Sequence, residues 1–351
     1  MLNLPLFDRL LNIPLASCVI IISIATGSLL GNFSPAIGEW LGNSVDYTLL
    51  LLVSLLIFGV RFSTLIQVGK SLNNLYFIAI ALLANFVLIP LIGYSVASLF
   101  LWQQPLLIVG LVIYFMSPCT DWFLSFTRLS NGNVALGTTL IPINITLQLL
   151  FYPLYLQIFT AHTVQIEASS IVDTLLQWFL LPLVVALTAR QLLNFLLKNS
   201  WFEYITNKVD QTIPWVTALL VLQIFASNIA VLMEHLTMFV SVLLCVFTFF
   251  VLTGFLGLGL SKVFRLRYPE HALLTMSIAA RNAPLMLAIT VATLPNQPLI
   301  YGALVIGMLI EIPHLTLLRH LLLKDHRRFL SKNTSWHKKR EKFNRYTNVL
   351  D

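Results

Sequence analysis

The fourth apolar run of the chain carries a proline, a thiol and a carboxylate, and reads Phe115-Met116-Ser117-Pro118-Cys119-Thr120-Asp121-Trp122. Proline has no backbone N–H, and its ring clashes with the preceding helical turn. A membrane-spanning helix with this sequence should therefore break near Ser117 and Pro118. A break frees backbone groups, which a membrane tolerates only where they are buried in protein or line a water-filled cavity. The stretch therefore predicts a binding site or cavity at membrane depth.

A second stretch of this kind lies in the ninth apolar run and reads Ala279-Ala280-Arg281-Asn282-Ala283-Pro284. Broken helices at corresponding positions of two halves are typical of secondary transporters. Five helices in each half, an odd number, give the halves opposite orientations in the membrane. We therefore expect a transporter built from inverted repeats, with broken helices 4 and 9 crossing near the bilayer midplane.

The composition indicates an all-α membrane protein: 58% of its 351 residues are hydrophobic, 10% are charged and the mean hydropathy is +0.87. A spanning helix needs about 20 apolar residues. Ten candidate runs begin near Ile13, Tyr47, Leu75, Pro105, Val134, Ile171, Thr212, Leu236, Ala272 and Pro298. We expect ten transmembrane helices within residues 1–330, as repeats at roughly 1–165 and 166–330. The basic tail, 331–351, is predicted to be disordered beside anionic lipid.

The net charge of +7 is sorted by membrane side. If the N-terminus is cytoplasmic, lysine and arginine fall in the even-numbered loops and the termini. The odd-numbered loops hold only acidic charges, namely Glu39, Asp46, Glu167, Asp173 and Glu234. This positive-inside pattern predicts a plasma (inner) membrane protein with both termini in the cytoplasm. It accounts for the basic balance without a nucleic-acid partner.

Three ionisable residues remain at membrane depth: Asp121, Arg281 and Glu311. A charge there costs about 2.5–3.5 kcal/mol on insertion scales, so such residues usually face a cavity or each other. Asp121 lies near enough to the cytoplasmic end to be a solvated or structural partner, and Arg281 could be its counter-ion. We predict that these two form an ion pair across the crossing.

The cysteines, Cys18, Cys119 and Cys245, fall in three different apolar runs without CxxC spacing. This pattern favours neither a disulfide framework nor a zinc site. With no metal-ligand cluster or nucleophile–base pair in the sequence, we expect neither an enzyme nor a bound cofactor or metal. A non-transporting membrane sensor is a further alternative, although the chain has no soluble signalling domain. Cys119 differs from the other thiols because Pro118 should expose it to the cavity that holds the charges.

Three segments resemble the arsenite efflux permeases of the bile acid:sodium symporter superfamily: Ser117-Pro118-Cys119-Thr120, Leu129 to Asn133, and Gly307-Met308-Leu309-Ile310-Glu311-Ile312-Pro313. The resemblance covers roughly residues 10–323. It implies that Cys119 supplies the thiol of metalloid transport and that Glu311 is an acid of the translocation core. We therefore expect Cys119, Thr120, Asn282 and Glu311 to bind substrate.

The chain departs from those permeases in the two broken helices. Their ninth helix has an Asn-Asn-Phe-Glu-like segment, where this chain has Arg281 and no glutamate, and small residues usually follow their Pro-Cys-Thr, where this chain has Asp121. A guanidinium that stays charged occupies the kind of site where sodium symporters hold a cation. We therefore favour protons, carried by Glu311 or Asp121, over sodium.

The leading hypothesis is a secondary transporter that exports arsenite, or a related metalloid oxyacid, in exchange for protons. Trivalent arsenic is thiophilic and arsenous acid is uncharged at neutral pH, so a thiol and hydrogen-bond donors suit it. The alternative is sodium-coupled uptake of an organic anion of the bile acid type, with Arg281 as the anion site.

Overall fold

The computed structural model describes residues 15–59, 72–120, 122–160, 181–197 and 199–347, and every regular element in these ranges is a helix. The helices are α1 (Leu15–Phe33), α2 (Pro35–Gly42), α3 (Val45–Gly59), α4 (Leu72–Leu83), a π-helical turn (Ala84–Leu88), α5 (Ile89–Leu101), α6 (Pro105–Phe115), α7 (Trp122–Leu129), α8 (Val134–Thr160), α9 (Leu181–Leu196), α10 (Asn199–Glu234), α11 (Leu236–Val263), α12 (Tyr268–Ala279), α13 (Ala283–Thr293) and α14 (Pro298–Thr347). The predicted all-α class is confirmed for these residues.

Within the described residues, five helical segments are long and apolar enough to cross a membrane. They are Leu72–Leu101, Val134–Phe159, Ser200–Glu234, Leu236–Val263 and Pro298–His326. The pair α2 and α3, bent by 43°, counts as a sixth if it is one span. Shorter apolar helices accompany them, among them α6 and α13 at the two predicted breaks. The chain is therefore an integral membrane protein, while the count of ten spans and the inverted repeats stay predictions.

Several hydrogen bonds join the loops at one end of the helix bundle. The backbone N–H of Asn133 donates to the carbonyl of Pro269 at 3.0 Å, so α8 and α12 begin side by side. The Tyr268 hydroxyl donates to Ser130 O at 2.8 Å, and Arg319 Nε donates to Leu129 O at 3.3 Å. This end carries the loops that the charge pattern assigns to the cytoplasm, and the membrane orientation itself stays a prediction.

The turn Ala84–Leu88 is π-helical because a proline follows it. Pro90 has no N–H to offer the carbonyl of Phe86, four residues earlier. That carbonyl instead accepts a hydrogen bond from the Tyr155 hydroxyl at 2.5 Å. π-helical turns inside α-helices frequently mark functional sites. This one holds the fully buried side chain of Asn85, whose amide nitrogen donates to Ser277 Oγ at 3.0 Å.

Helix α14 continues past the last predicted span to Thr347, and the disorder expected of the tail from residue 331 stays a prediction. The segment is rich in lysine and arginine, which are good helix formers. Extending an existing helix also avoids the cost of nucleating a new one. Residues 348–351 lie outside the described part of the chain.

Helix α10 packs against α1 and α2 through glycines at backbone-to-backbone distance. A Cβ atom at Gly31 would lie 2.1 Å from Ala226 O, and one at Gly27 would lie 2.5 Å from Leu222 O. Small residues at such interfaces are how membrane helices approach closely. Helices α3 and α9 complete this group, which we call the α1–α10 body.

We predict that Gly31→Ala destabilises the protein by about 1–3 kcal/mol, because the added methyl group overlaps backbone atoms that cannot move independently. The measurement is thermal unfolding of purified protein in detergent. Gly259→Ala is the matched control, since a Cβ atom there has no neighbour within 4 Å. Unfolding at the same temperature for both variants would show that the contact between α1 and α10 is not tight.

Candidate functional site

The two predicted helix breaks lie against each other and form an isolated antiparallel bridge between Pro118 and Arg281. The N–H of Cys119 donates to Ala280 O at 3.1 Å, and the N–H of Asn282 donates to Ser117 O at 2.9 Å. These bonds pair backbone groups that the breaks free from the helices. The two predicted breaks are therefore in contact, and the antiparallel pairing shows that their backbones run in opposite directions; the crossing near the bilayer midplane stays a prediction.

The guanidinium of Arg281 lies fully buried between the C-terminal ends of two half-helices. Nη1 donates to the carbonyl of Phe115, the last residue of α6, at 2.8 Å. Nη2 lies 2.7 Å from Ile278 O and 3.1 Å from Ser277 O, both in the last turn of α12, and 3.2 Å from Asn85 Oδ1. Helix C-termini carry partial negative charge, so a fixed cation stabilises both ends at once.

Glu311, which is 4% exposed, joins α14 to both broken helices. Its Oε1 accepts a hydrogen bond from the backbone N–H of Arg281 at 2.9 Å. Its Oε2 lies 3.1 Å from the hydroxyl of Tyr114, which also lies 3.0 Å from Gly307 O. A phenol has one hydrogen to donate, so it bonds either to the carboxylate or to the carbonyl. A protonated Glu311 could itself donate to Tyr114, which would turn the phenolic hydrogen toward Gly307.

A cavity of about 680 Å³ lies between the α1–α10 body and the broken helices. Its walls include Thr120 at the first break, Pro284 at the start of α13 and Glu311 on α14. Arg128 of α7 and Asp210 of α10 are further charged residues of its walls. The cavity therefore reaches the crossing from the end of the bundle that carries the basic loops.

The structure brings together the four residues that were predicted to bind substrate. Thr120 and Glu311 line the cavity, and Asn282, 1% exposed, donates from Nδ2 to Thr120 Oγ1 at 3.2 Å. Cys119 was expected to face the cavity; instead it is 2% exposed and absent from the walls. Its peptide N–H is held by Ala280 O, which fixes the thiol inside the crossing.

Asp121 lies outside the described residues, so its ion pair with Arg281 stays a prediction. Tyr114 and Asn85, which are not among the predicted site residues, supply polar contacts to Glu311 and Arg281. Asn85 could have been found as an amide five residues before Pro90 in an apolar run. Tyr114 precedes the first broken stretch directly, but nothing in its sequence context separates it from core aromatic residues.

A bundle of apolar helices with two crossed breaks beside a cavity defines the class as membrane transporter. The chain belongs to the sodium bile acid symporter family, which matches residues 48–238, more than half of its length.

The similarity to known proteins extends over most of the chain. The arsenical-resistance protein Acr3 of Corynebacterium glutamicum is 24% identical over 329 residues, 87% of this chain and 86% of that protein. Acr3 of Alkaliphilus metalliredigens is 22% identical over 328 residues, 88% of this chain and 89% of its own. The probable sodium/metabolite cotransporter BASS2, chloroplastic, of Oryza sativa subsp. japonica is 23% identical over 213 residues, 61% of this chain and 48% of its own.

We predict that Tyr114→Phe costs about 1.5–3 kcal/mol of stability, because it removes a hydrogen bond to an ionised carboxylate. Tyr152→Phe is the matched control: Tyr152 is also fully buried, and its hydroxyl lies 2.7 Å from Thr293 Oγ1, a neutral partner. That variant should lose only about 0.5–1.5 kcal/mol. The measurement is chemical or thermal unfolding in detergent. Equal losses would argue against a charged Glu311 beside Tyr114.

Proposed function

We propose that the protein is a secondary active transporter that exports arsenite, or a related metalloid oxyacid, in exchange for protons. The observation that carries the proposal is the position of Glu311, whose carboxylate lines the cavity and bonds to both broken helices. A group that takes up a proton there can alter the crossing itself. The printed names of the two bacterial relatives, both arsenical-resistance proteins, supply the substrate class.

The chemistry of the crossing suits a neutral, thiophilic solute. Arsenous acid enters without a counter-ion and offers hydroxyl groups to Thr120 and Asn282. We infer that the Cys119 thiol then displaces one As–OH group: an S–As bond forms, and the thiol proton leaves with the hydroxyl as water. Water reverses the step at release. Because Thr120 lines the cavity and Cys119 is its buried neighbour, this exchange requires a small movement of the break.

Proton coupling follows from what is fixed and what is variable at the site. In the sodium-coupled design, carbonyls at half-helix C-termini hold a mobile cation. Here the guanidinium of Arg281 already occupies such carbonyls, those of Phe115 and Ile278. The positive charge of Arg281 would repel a second cation, whereas Glu311 can bind and release a proton. The proton is therefore the coupling ion that we propose.

Sodium-coupled uptake of an organic anion is the second candidate, and the family description and the rice relative favour it. That hypothesis assigns the anion to Arg281. The hydrogen bonds from Nη1 and Nη2 of Arg281 to four protein oxygens argue against this assignment.

We predict that Cys119→Ser abolishes arsenite export, because a hydroxyl does not bind trivalent arsenic as a thiol does. Cys245→Ser is the matched control, since that thiol is equally buried but lies in α11, away from the breaks, and Cys18→Ser is a second control. The measurements are arsenite and antimonite tolerance and metalloid accumulation in a host that lacks its own exporter.

Unchanged accumulation with correctly inserted wild-type protein would overturn the proposed function. Equal loss in all three variants would indicate a folding defect, and full activity of Cys119→Ser would favour the organic-anion hypothesis.

We predict that Glu311→Gln inserts normally but does not export metalloid against a gradient, because glutamine keeps the shape and an acceptor oxygen but carries no titratable proton. Export is measured in inverted vesicles under an imposed pH gradient and, separately, a sodium gradient. Glu234→Gln, an exposed change at the end of α10, is the control and should behave as wild type. A glutamine variant that still responds to the pH gradient would refute coupling through Glu311. Wild-type transport driven by sodium alone would support the second candidate.

A further inference from the structure

Two buried amides on α8 have no hydrogen-bond partner among the residues that the structure describes. Asn144 is fully buried and Gln148 is 2% exposed. Both polar atoms of each side chain, Oδ1 and Nδ2 of Asn144 and Oε1 and Nε2 of Gln148, are unpartnered. Buried polar groups in native proteins are nearly always paired, so four such atoms on adjacent turns require an explanation.

These amides lie on the face of α8 that follows the second broken helix. Residues 137, 144, 148 and 152 share one face, because their spacings match the helical repeat. At the near end of this face, a Cβ atom on Gly137 would lie 2.9 Å from Leu273 of α12. At the far end, the Tyr152 hydroxyl meets Thr293 of α13 at 2.7 Å. Asn144 and Gln148 lie between these two contacts.

These two contacts place the amides at the level of the break. Leu273 of α12 and Thr293 of α13 contact the two ends of this face, and the break from Ala280 to Asn282 lies between them along the chain. The Oδ1 atom of Asn282, in this break, is buried and unpartnered as well.

We propose that Asn144 and Gln148, together with Oδ1 of Asn282, form a hydrogen-bonding subsite for a small, uncharged oxyacid with hydroxyl groups. The subsite extends the proposed function and rests on it. It adds side chains of α8, which the sequence did not single out for binding, to a site built from the two breaks and α14.

The arrangement of acceptors selects the chemistry of the ligand. Asn282 donates from Nδ2 to Thr120, and its Oδ1 is an unpartnered acceptor. Together with the amide oxygens of Asn144 and Gln148, the subsite offers three acceptors. A carboxylate or sulfonate could accept from the Nδ2 and Nε2 groups of the two amides but has no hydrogen for the three oxygens, whereas each hydroxyl of an oxyacid both donates and accepts. The subsite therefore favours a neutral hydroxylated solute over an organic anion.

The test is ligand-induced thermal stabilisation of the purified full chain, titrated near pH 7 with arsenite and with antimonite, both supplied free of chelating organic acids. The variants are Asn144→Leu and Gln148→Met, which keep volume and remove the amides. Each should raise the half-saturating concentration by about tenfold, as expected for the loss of hydrogen bonds to a bound ligand. Without ligand, both variants should unfold at or above the wild-type temperature, because an unpartnered buried group has been removed.

Thr146→Val is the matched control, since Thr146 lies on the same helix and its hydroxyl is already bonded to Pro142 O at 2.8 Å. It should bind both compounds as wild type does. Wild-type affinity in the Asn144 and Gln148 variants would overturn the subsite and leave the proposed function intact. Lower stability of the ligand-free variants would show that the amides are structural and would also overturn it. A wild-type protein that neither compound stabilises would contradict the proposed function, and the subsite with it.

Discussion

The site depends on one buried guanidinium. Breaking two helices at the same place in a membrane protein leaves two C-terminal ends whose carbonyls have no N–H partner and no water. Arg281 bonds to both helix ends, because its planar guanidinium donates one hydrogen bond to the carbonyl of Phe115 and another to the carbonyl of Ile278. An ammonium group is a point charge and could not span both ends in this way. Without this contact, the paired breaks would hold two unsatisfied helix ends at close range.

Because the Arg281 guanidinium is held in place, the charge of the site can change only at another group. Arg281 cannot leave, so the charge at the crossing is set by Glu311, whose carboxylate bonds to the backbone of Arg281 and to Tyr114. Ionised, Glu311 neutralises the guanidinium and holds both broken helices; protonated, it leaves a net positive charge and frees the phenol to turn toward Gly307. A change in the charge of Glu311 therefore also changes its hydrogen bonds to Arg281 and Tyr114, which hold the two broken helices together.

The sequence predicted the breaks and their crossing, because Pro118 and Pro284 act locally and proline has the same effect in any apolar helix. It could not predict what Arg281 contacts. Sequence shows charged side chains but not backbone carbonyls, so the four protein oxygens around Arg281 could not be predicted, while its pairing with Asp121 stays a prediction. The burial of Cys119 could not be predicted either, because it depends on the hydrogen bond between the Cys119 N–H and the carbonyl of Ala280 in the other break. Such facts exist only once two distant segments are in contact.

The position of α14 decides how a proton could drive movement. The α1–α10 body is held by backbone contacts at Gly27 and Gly31, which leave little room for internal adjustment. The cavity lies between that body and the broken helices, so a change of access must come from movement of one against the other. Helix α14 packs against both, and it carries Glu311. Under the proposed proton coupling, protonation of Glu311 would act on the one helix that carries the carboxylate and contacts both the α1–α10 body and the broken helices.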